Sequence, residues 1–469
     1  MNKSLMAYSL LLAASFVSYS LPSQAGFWRA GQNPQAPSRE EARAPARRGE
    51  LEGAIQQYRQ AIAKSPQDFK LNLEFAQFLA KARHFPDAIA VFRRALELAP
   101  RNETAESGLA EAYRRVHNVD ETRALLQAAR KHHPKSVSVL KAIGSFEIEA
   151  ESFDAAIAAL QAAVALAPKD VTTLNMLGTA YLGKGDKDAA LAQIEKALAL
   201  DSGDQHARFL RAQVFADNNK NEEALRDAEK VFEAKPDSQP ARMLLAKILI
   251  RLKQCARAAN ILQPPGDAAA LDTEALFLLG NAYDCEGKAD LAKSARDEFA
   301  AASENERRRA ENEVQSKHLY EKANELARQN KFNEALDLVQ QALEKNPKNG
   351  FAYSQEAKIF FSINEKEKAQ EAIGRALAIQ PYQPDFLYVA GVIAEGDGKD
   401  EEALRTFEQV TQISPKEADA YFEMGRILMK RNDRVRALAA FRTASELEPD
   451  DPDYKRAVAE ASVAEEKKN

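Results

Sequence analysis

The chain has 469 residues, of which 45% are hydrophobic and only 7% aromatic, and its net charge at neutral pH is −5. This length exceeds what one hydrophobic core usually serves, so an architecture that buries surface only between neighbouring segments is favoured. The small net charge argues against a protein that binds nucleic acid or an anionic membrane through its overall electrostatics.

The N-terminus, residues 1–25, has the pattern of a secretory signal peptide. Lys3 provides a positive start, and Leu5–Val17 is an apolar run too short to span a bilayer comfortably. Small residues at Ser23 and Ala25 predict cleavage before residue 26, and no cysteine follows to indicate a lipoprotein anchor. We expect an exported chain, in the periplasm or secreted. The alternative is an uncleaved membrane anchor.

Residues 26–48 are predicted to be a disordered linker. Pro34, Pro37 and Pro45 lie among arginines and polar residues, and apolar periodicity is weak. A solvated tether explains this composition, and contact of its arginines with an anionic surface is the alternative.

The central part of the chain contains a repeat of 34 residues, because Val137–Asp170 aligns with Val171–Asp204 without a gap. Each copy has apolar residues at helical spacing in two segments separated by a short polar turn. Gly144 and Ala156 are small where two helices must approach closely, and Pro168 ends the second helix because proline removes a backbone donor. The repeat unit is therefore a helical hairpin.

The same phase extends in both directions. It begins at Glu50–Pro66, the second half of a repeat whose first helix has been lost. It continues through prolines at Pro66, Pro100, Pro134, Pro168 and Pro236 and through small residues at Ala76, Ala110, Gly144, Gly178, Ala212, Ala246 and Gly280. It returns in Pro347, Pro381, Pro415 and Pro449. This pattern resembles the tetratricopeptide repeat (TPR) family, which implies an α-solenoid.

Two irregularities interrupt the phase. The repeat from Gln239 has a second helix that ends early at Pro264, which predicts a shortened helix and a local bend. Residues 288–331 contain neither proline nor glycine, and the phase returns nine residues late, at Ala323. We predict an extended charged helix here, with a hinge or kink near Asn305 as the alternative.

The predicted fold is therefore all-α, a solenoid of about eleven TPR repeats with a half repeat at the N-terminus and a capping helix at the C-terminus. The predicted boundaries are 49–304 for a first array, 305–315 for a charged helical insertion or hinge, 316–451 for a second array, and 452–469 for the capping helix and tail.

The resemblance also implies a concave groove lined by the first helix of each repeat. The residues at groove positions of the second array are Tyr320, Asn324, Phe351, Lys358, Phe361, Asp385, Tyr388, Phe422, Arg426 and Lys430. Those of the first array are Asn175, Phe209, Gln213, Met243, Lys247, Arg251, Phe277 and Asn281. Aromatic rings with a few polar groups suit an extended peptide. The alternative is that the rings complete the core between neighbouring first helices.

The chain's two cysteines, Cys255 and Cys285, are predicted to form a disulfide. In a TPR stack the start of a second helix and the end of the next first helix meet, and an exported chain encounters oxidising conditions. The alternative is a pair of buried free cysteines.

We find no catalytic motif and predict neither an enzyme nor a bound cofactor or metal. The carboxylate clamp with which some TPR domains hold chaperone tails is not matched, because Phe277 stands where its lysine belongs, four residues before Asn281. The sequence therefore favours an exported, non-catalytic scaffold that binds a protein partner, such as an extended peptide or a subunit of an envelope or secretion assembly. The alternatives are binding of a glycan or cell-wall fragment by groove aromatics, and self-association.

Overall fold

The computed structural model describes residues 51–263 and 271–466, and these ranges contain 23 α-helices and no β-strand. The predicted all-α solenoid of TPR repeats is confirmed. The predicted signal peptide (residues 1–25) and linker (residues 26–48) lie outside the described residues, as does the segment Pro264–Gly266.

The helices follow one another as hairpins. The first eleven are α1 (Leu51–Lys64), α2 (Phe69–Lys81), α3 (Phe85–Leu98), α4 (Glu103–Arg115), α5 (Val119–His132), α6 (Val137–Glu149), α7 (Phe153–Leu166), α8 (Val171–Lys184), α9 (Lys187–Leu200), α10 (Gln205–Asp217) and α11 (Asn221–Ala234). The remaining twelve are α12 (Gln239–Arg251), α13 (Cys255–Leu262), α14 (Thr273–Cys285), α15 (Ala289–Arg328), α16 (Phe332–Lys345), α17 (Gly350–Ser362), α18 (Lys366–Ile379), α19 (Pro384–Gly396), α20 (Asp400–Ile413), α21 (Ala418–Lys430), α22 (Arg434–Leu447) and α23 (Pro452–Glu466).

Close approach of the two helices in a repeat explains its small residues. A Cβ atom on Gly144 would lie 2.5 Å from Cδ2 of Leu160, and one on Gly391 would lie 2.8 Å from Cε1 of Phe407. Both distances are well inside van der Waals contact, so the large side chain of the second helix occupies the space that glycine leaves.

The turn inside each repeat uses a left-handed residue at the same position. Its φ is 55° at Glu151, 86° at Gly185 and 59° at Asn219. The same position recurs as Arg83, His117, Lys253, Gly287, Asn330, Asn364, Gly398 and Asn432. The step from Gly287 to Asn330 is nine residues longer than the others, which independently locates the insertion.

The charged insertion is one continuous helix, because α15 runs for 40 residues from Ala289 to Arg328. Arg307 pairs with Glu304 at 2.6 Å and with Glu311 at 3.5 Å along this helix. Such pairs three and four residues apart support an exposed helix that has few core contacts. The structure thus shows the extended helix that the missing proline and glycine predicted.

The described residues divide into two compact units, Arg123–Gln315 and a second unit in which the residues up to Thr122 join those from Ser316 onward. We refer to these as the central unit and the terminal unit. The predicted array boundaries stay predictions.

The terminal unit is held together by a contact between α3 and α20 that the repeat pattern did not predict. The Tyr382 hydroxyl donates to the Arg83 carbonyl oxygen at 2.6 Å, and the Phe85 ring meets the Tyr382 ring edge-on at 5.8 Å. Asn118 Nδ2 donates to the Ile413 carbonyl oxygen at 2.6 Å. We call this contact the clasp. It joins residues that are 295 and 299 positions apart in the chain.

A titratable carboxyl lies beside the clasp. Burial raises the pKa of Glu408, on α20, to about 7, and the carboxylates of Glu401 and Asp87 add to the increase. Arg436, 3.4 Å away, opposes it. The pKa of Asp87, on α3, is also raised by burial, against the lowering effect of Arg59. The clasp therefore brings carboxyl groups of both helices into partly buried surroundings.

Candidate partner-binding groove

A groove in the terminal unit is formed by three consecutive first helices, α17, α19 and α21. It contains a cavity of ≈ 350 Å³ lined by Lys358, Phe361, Ser362, Pro384, Asp385, Tyr388, Val389, Val392, Ile393, Glu417 and Asp419. Three of the predicted partner-binding residues, Lys358, Phe361 and Tyr388, meet in this cavity. Asp385, which also stands at a predicted groove position, lines the cavity as well, and the other predicted groove residues of the second array lie outside its lining.

The aromatic rings of the second array are only partly available to a ligand. Tyr320 stacks on Phe351 at 5.9 Å, and Phe351 meets the buried Phe386 edge-on at 5.0 Å. Of Tyr320, Phe351, Tyr388 and Phe422, only Phe351 is exposed, with 37% of its surface accessible.

The two remaining rings also pack on the core. Tyr388 lies 5.5 Å from the buried Phe407, and Phe422 lies 5.6 Å from Phe441 and 5.0 Å from Tyr454. Each ring thus completes the packing between helices and leaves one edge to solvent. The four rings do not form a single exposed row, so the feature on which the glycan alternative depended is missing from the described groove.

Three carboxylates surround the cavity: Asp385, Glu417 and Asp419. Burial raises the pKa of Glu417, and the neighbouring carboxylates of Asp419 and Asp385 raise it further. Asp419 accepts a hydrogen bond from the Tyr454 hydroxyl at 2.5 Å. Glu417 and Asp419 were not among the residues predicted for the groove. The signal that points to Asp419 is its spacing of one repeat period from Asp385.

The cations of the groove differ in their surroundings. Burial lowers the pKa of Lys358, and the Asp385 carboxylate partly opposes this. Arg426 is held by Glu423 at 2.5 Å and by Glu395 at 3.5 Å, while Lys430 pairs with Asp400. Lys358 is therefore the cation that faces the cavity.

The predicted groove residue Asn324 lies on α15 and is half-buried.

In the central unit three of the predicted polar residues already have intramolecular partners. Lys247 pairs with Glu274, and Arg251 donates to the Ala216 carbonyl oxygen. Asn175 is buried, and its Nδ2 donates to Asp204 at 2.9 Å. These side chains connect neighbouring repeats.

The other predicted residues of the central unit are Phe209, Gln213, Met243, Phe277 and Asn281, of which Gln213 is exposed and Met243 is buried. Phe209 is half-buried against the core formed by Leu174 and Ile194, and Asn281 is also half-buried. Phe277 is 49% exposed and lies 5.6 Å from the Phe299 ring. None of these residues lines the cavity of the terminal unit, which therefore holds the better-formed candidate site.

The structure joins Cys255, the first residue of α13, to Cys285, the last residue of α14. Their Cα atoms are 5.9 Å apart, a common separation for a disulfide. Cys255 is buried and Cys285 is exposed. The bond would tie the shortened second helix to the following repeat.

The described part of the chain contains neither a candidate metal site nor a candidate membrane-spanning helix. No group of three or more His, Cys, Asp or Glu side chains could hold a metal ion. None of the helices in residues 51–263 and 271–466 is both long and apolar enough to cross a membrane.

Comparisons with known proteins consistently match tetratricopeptide repeat proteins. Two family models, each described as tetratricopeptide repeat, match more than half of the chain, at residues 39–103, 79–143, 175–240, 320–369, 354–418 and 394–461. Human tetratricopeptide repeat protein 6 is 28% identical over 125 residues, which are 27% of this chain and 24% of that protein. The chain thus spans about a quarter of this relative's length.

Solved structures show only a general likeness. The TPR protein YrrB, described as having an unusual peptide-binding site, is 24% identical, with 39% of this chain and 95% of that chain covered and a TM-score of 0.34. The APC/C hetero-tetramer Cut9–Hcn1 is 14% identical, with 83% and 89% covered and a TM-score of 0.31. The likeness to both structures is one of fold alone.

The described chain consists of helical hairpins, and in the terminal unit the first helices α17, α19 and α21 form a groove, the architecture of a repeat-based interaction module. The chain belongs to the tetratricopeptide repeat family. Its repeats support a role as a protein–protein interaction scaffold. The family is generally non-catalytic.

Proposed function

We propose that this protein is an exported TPR scaffold that binds a protein partner of an envelope or secretion assembly through the groove of α17, α19 and α21. The observation that carries the proposal is the cavity in which Lys358, Phe361 and Tyr388 meet. Its volume of ≈ 350 Å³ lies within the range of specific ligand sites. Three helices of the terminal unit supply its walls.

The groove suits an extended segment of a partner protein. Phe361 and Tyr388 offer apolar ring surface, and Ser362 and Asp385 provide polar groups at the edge. Half-buried rings are already immobilised by packing, so a ligand that covers them loses little additional side-chain entropy. The binding energy of such sites is concentrated in a few rigid side chains.

Export is supported by the signal-peptide pattern of residues 1–25 and by the disulfide-forming pair Cys255 and Cys285. The test is the intact mass of the chain purified from its own cells with a C-terminal tag. Cleavage before Gly26 and recovery from the periplasmic fraction or the medium are expected. An uncleaved chain in the cytoplasmic fraction would contradict the proposal.

The groove is tested by site-specific photocrosslinking. A photoreactive amino acid replaces Ser362, which lines the cavity, or Glu367, an exposed residue on α18 that does not. We expect a cross-linked protein partner from position 362 and none from 367. Equal capture at both positions, or at neither, would refute the groove as the working surface.

A further inference from the structure

The cavity combines an apolar floor with an acidic rim. Val389, Val392 and Ile393 on α19 and Phe361 on α17 form apolar walls. Asp385, Glu417 and Asp419 supply three carboxylates, and Lys358 supplies the one ammonium of the lining. The excess of negative charge is therefore local to a site whose walls are otherwise apolar.

This charge is only partly neutralised within the described part of the chain, by the electrostatic interaction of Lys358 with Asp385. Neither Glu417 nor Lys358 forms an ion pair with a described residue, and Asp385 accepts only a long 3.4 Å contact from Gln383 Nε2. Mutual repulsion adds to the effect of burial on the pKa of Glu417. A cation entering the cavity would relieve that repulsion.

Two of the carboxylates lie at the N-terminal ends of helices. Asp385 and Asp419 lie in the first turns of α19 and α21, where the helix dipole stabilises negative charge. The burial of Tyr388 raises the pKa of its phenol, and the carboxylates of Glu423, Asp419 and Glu417 contribute further. The Tyr388 ring therefore remains neutral beside an anionic rim, an arrangement suited to a cation that packs against the ring.

We propose that the groove recognises an extended segment of its protein partner through an arginine side chain flanked by apolar residues. The guanidinium would reach the Asp385, Glu417 and Asp419 carboxylates, and its aliphatic stem would lie along Phe361 and Tyr388. Apolar neighbours in the partner would cover Val392, which is half-buried. This inference rests on the proposed function and specifies the chemistry of the partner.

The test uses pools of nine-residue peptides with randomised apolar flanks and a fixed central residue. The centre is arginine, its neutral isostere citrulline, leucine or glutamate. Each pool is passed over the immobilised full chain, and retained peptides are quantified by mass spectrometry at low and high ionic strength. We expect the arginine pool to be retained about tenfold more strongly than the citrulline pool, and less so at high salt.

A pair of charge-matched variants assigns the effect to the groove. D385N with E417Q removes two rim carboxylates, whereas E334Q with E367Q removes two exposed ones on α16 and α18 outside the cavity. The groove variant should lose the preference for arginine, and the control should keep it. Circular dichroism of both variants checks that the fold is retained.

Three results would overturn the inference: equal retention of the arginine and citrulline pools, retention of no pool, or an unchanged preference in the groove variant. If position 362 still captures a protein partner, the groove remains the working surface and only the arginine specificity fails. If the photocrosslink from 362 joins it to residues 26–48 of the same chain, the occupant is intramolecular, and the partner assignment is wrong.

Discussion

Replacing Gly391 by alanine tests the claim that close helix packing, and not backbone flexibility, requires glycine in the first helix of a repeat. A Cβ at this position would lie 2.8 Å from both Cε1 and Cζ of Phe407, a fully buried ring on α20. Gly374, on α18, is the matched control, because a Cβ there would meet no atom within 4 Å. Both glycines lie inside helices of the terminal unit.

Both substitutions gain the higher helix propensity of alanine, but only Gly391→Ala also introduces a steric clash. Alanine is favoured over glycine inside a helix by about 1 kcal/mol, so Gly374→Ala should stabilise by about that amount. Overpacking costs typically about 1–3 kcal/mol, so Gly391→Ala should range from about neutral to about 2 kcal/mol destabilising. The difference between the variants, about 1–3 kcal/mol, isolates the steric contribution.

Hydrogen exchange of α19 and α20 measures this difference locally, which is preferable in a repeat protein whose unfolding need not be two-state. We expect faster exchange in Gly391→Ala and unchanged or slower exchange of α18 in Gly374→Ala. If Gly391→Ala stabilises as much as Gly374→Ala, the close-packing argument is wrong. Because Tyr388 packs on Phe407, a displaced ring would also disturb the groove.

Three further predictions address other parts of the chain. Reduction of the Cys255–Cys285 bond, which closes a loop with a sequence separation of 30, should raise the intact mass by two hydrogens. It should also destabilise the central unit by about 3–4 kcal/mol in denaturant titrations. Glu151→Gly should stabilise by about 1 kcal/mol, measured by thermal unfolding, because glycine adopts the left-handed conformation without steric cost, and Asn219→Gly should gain less. Glu408→Gln should stabilise the clasp more at about pH 8 than at about pH 5, measured by hydrogen exchange of α3 and α20.

The sign of the last prediction follows from the raised pKa of Glu408, about 7 in the folded chain against an ordinary value of 4.5. The stabilising contribution of the protonated carboxyl is fully present below the unfolded value and is lost as pH rises through about 7. A benefit of Glu408→Gln that does not change with pH would contradict this assignment. Equal gains in Glu151→Gly and Asn219→Gly, or a mass unchanged by reductant, would refute the other two.

The 34-residue periodicity of the sequence was sufficient to predict the repeat architecture. Gly144 and Ala156 could be interpreted from sequence because each hairpin must bury the same face against its neighbour, which places the same size limit at the same position of every period. The continuous α15 was predicted for a similar reason, since Ala289–Arg328 contains no residue that ends a helix. These features depend on local or nearest-neighbour contacts.

Only some residues of the candidate site could be predicted from this periodicity. Lys358, Phe361 and Tyr388 were found because the family's groove positions recur with the period. Whether a residue faces solvent depends on how neighbouring repeats stack, and small changes in that stacking bury one ring edge and expose another. Lys247 and Arg426 were predicted for a partner but are held by nearby acids, which side-chain spacing could not reveal.

The sequence by itself determined the helical hairpins, their number and the position of the long charged helix, because these follow from contacts within about one repeat period. Only the tertiary structure decided that α3 packs on α20 and that three carboxylates converge at one cavity. The clasp joins Asn118 to Ile413, and a period of 34 residues carries no information about a contact 295 residues away. Such contacts depend on small rotations that accumulate from repeat to repeat, and the sequence pattern does not encode their sum.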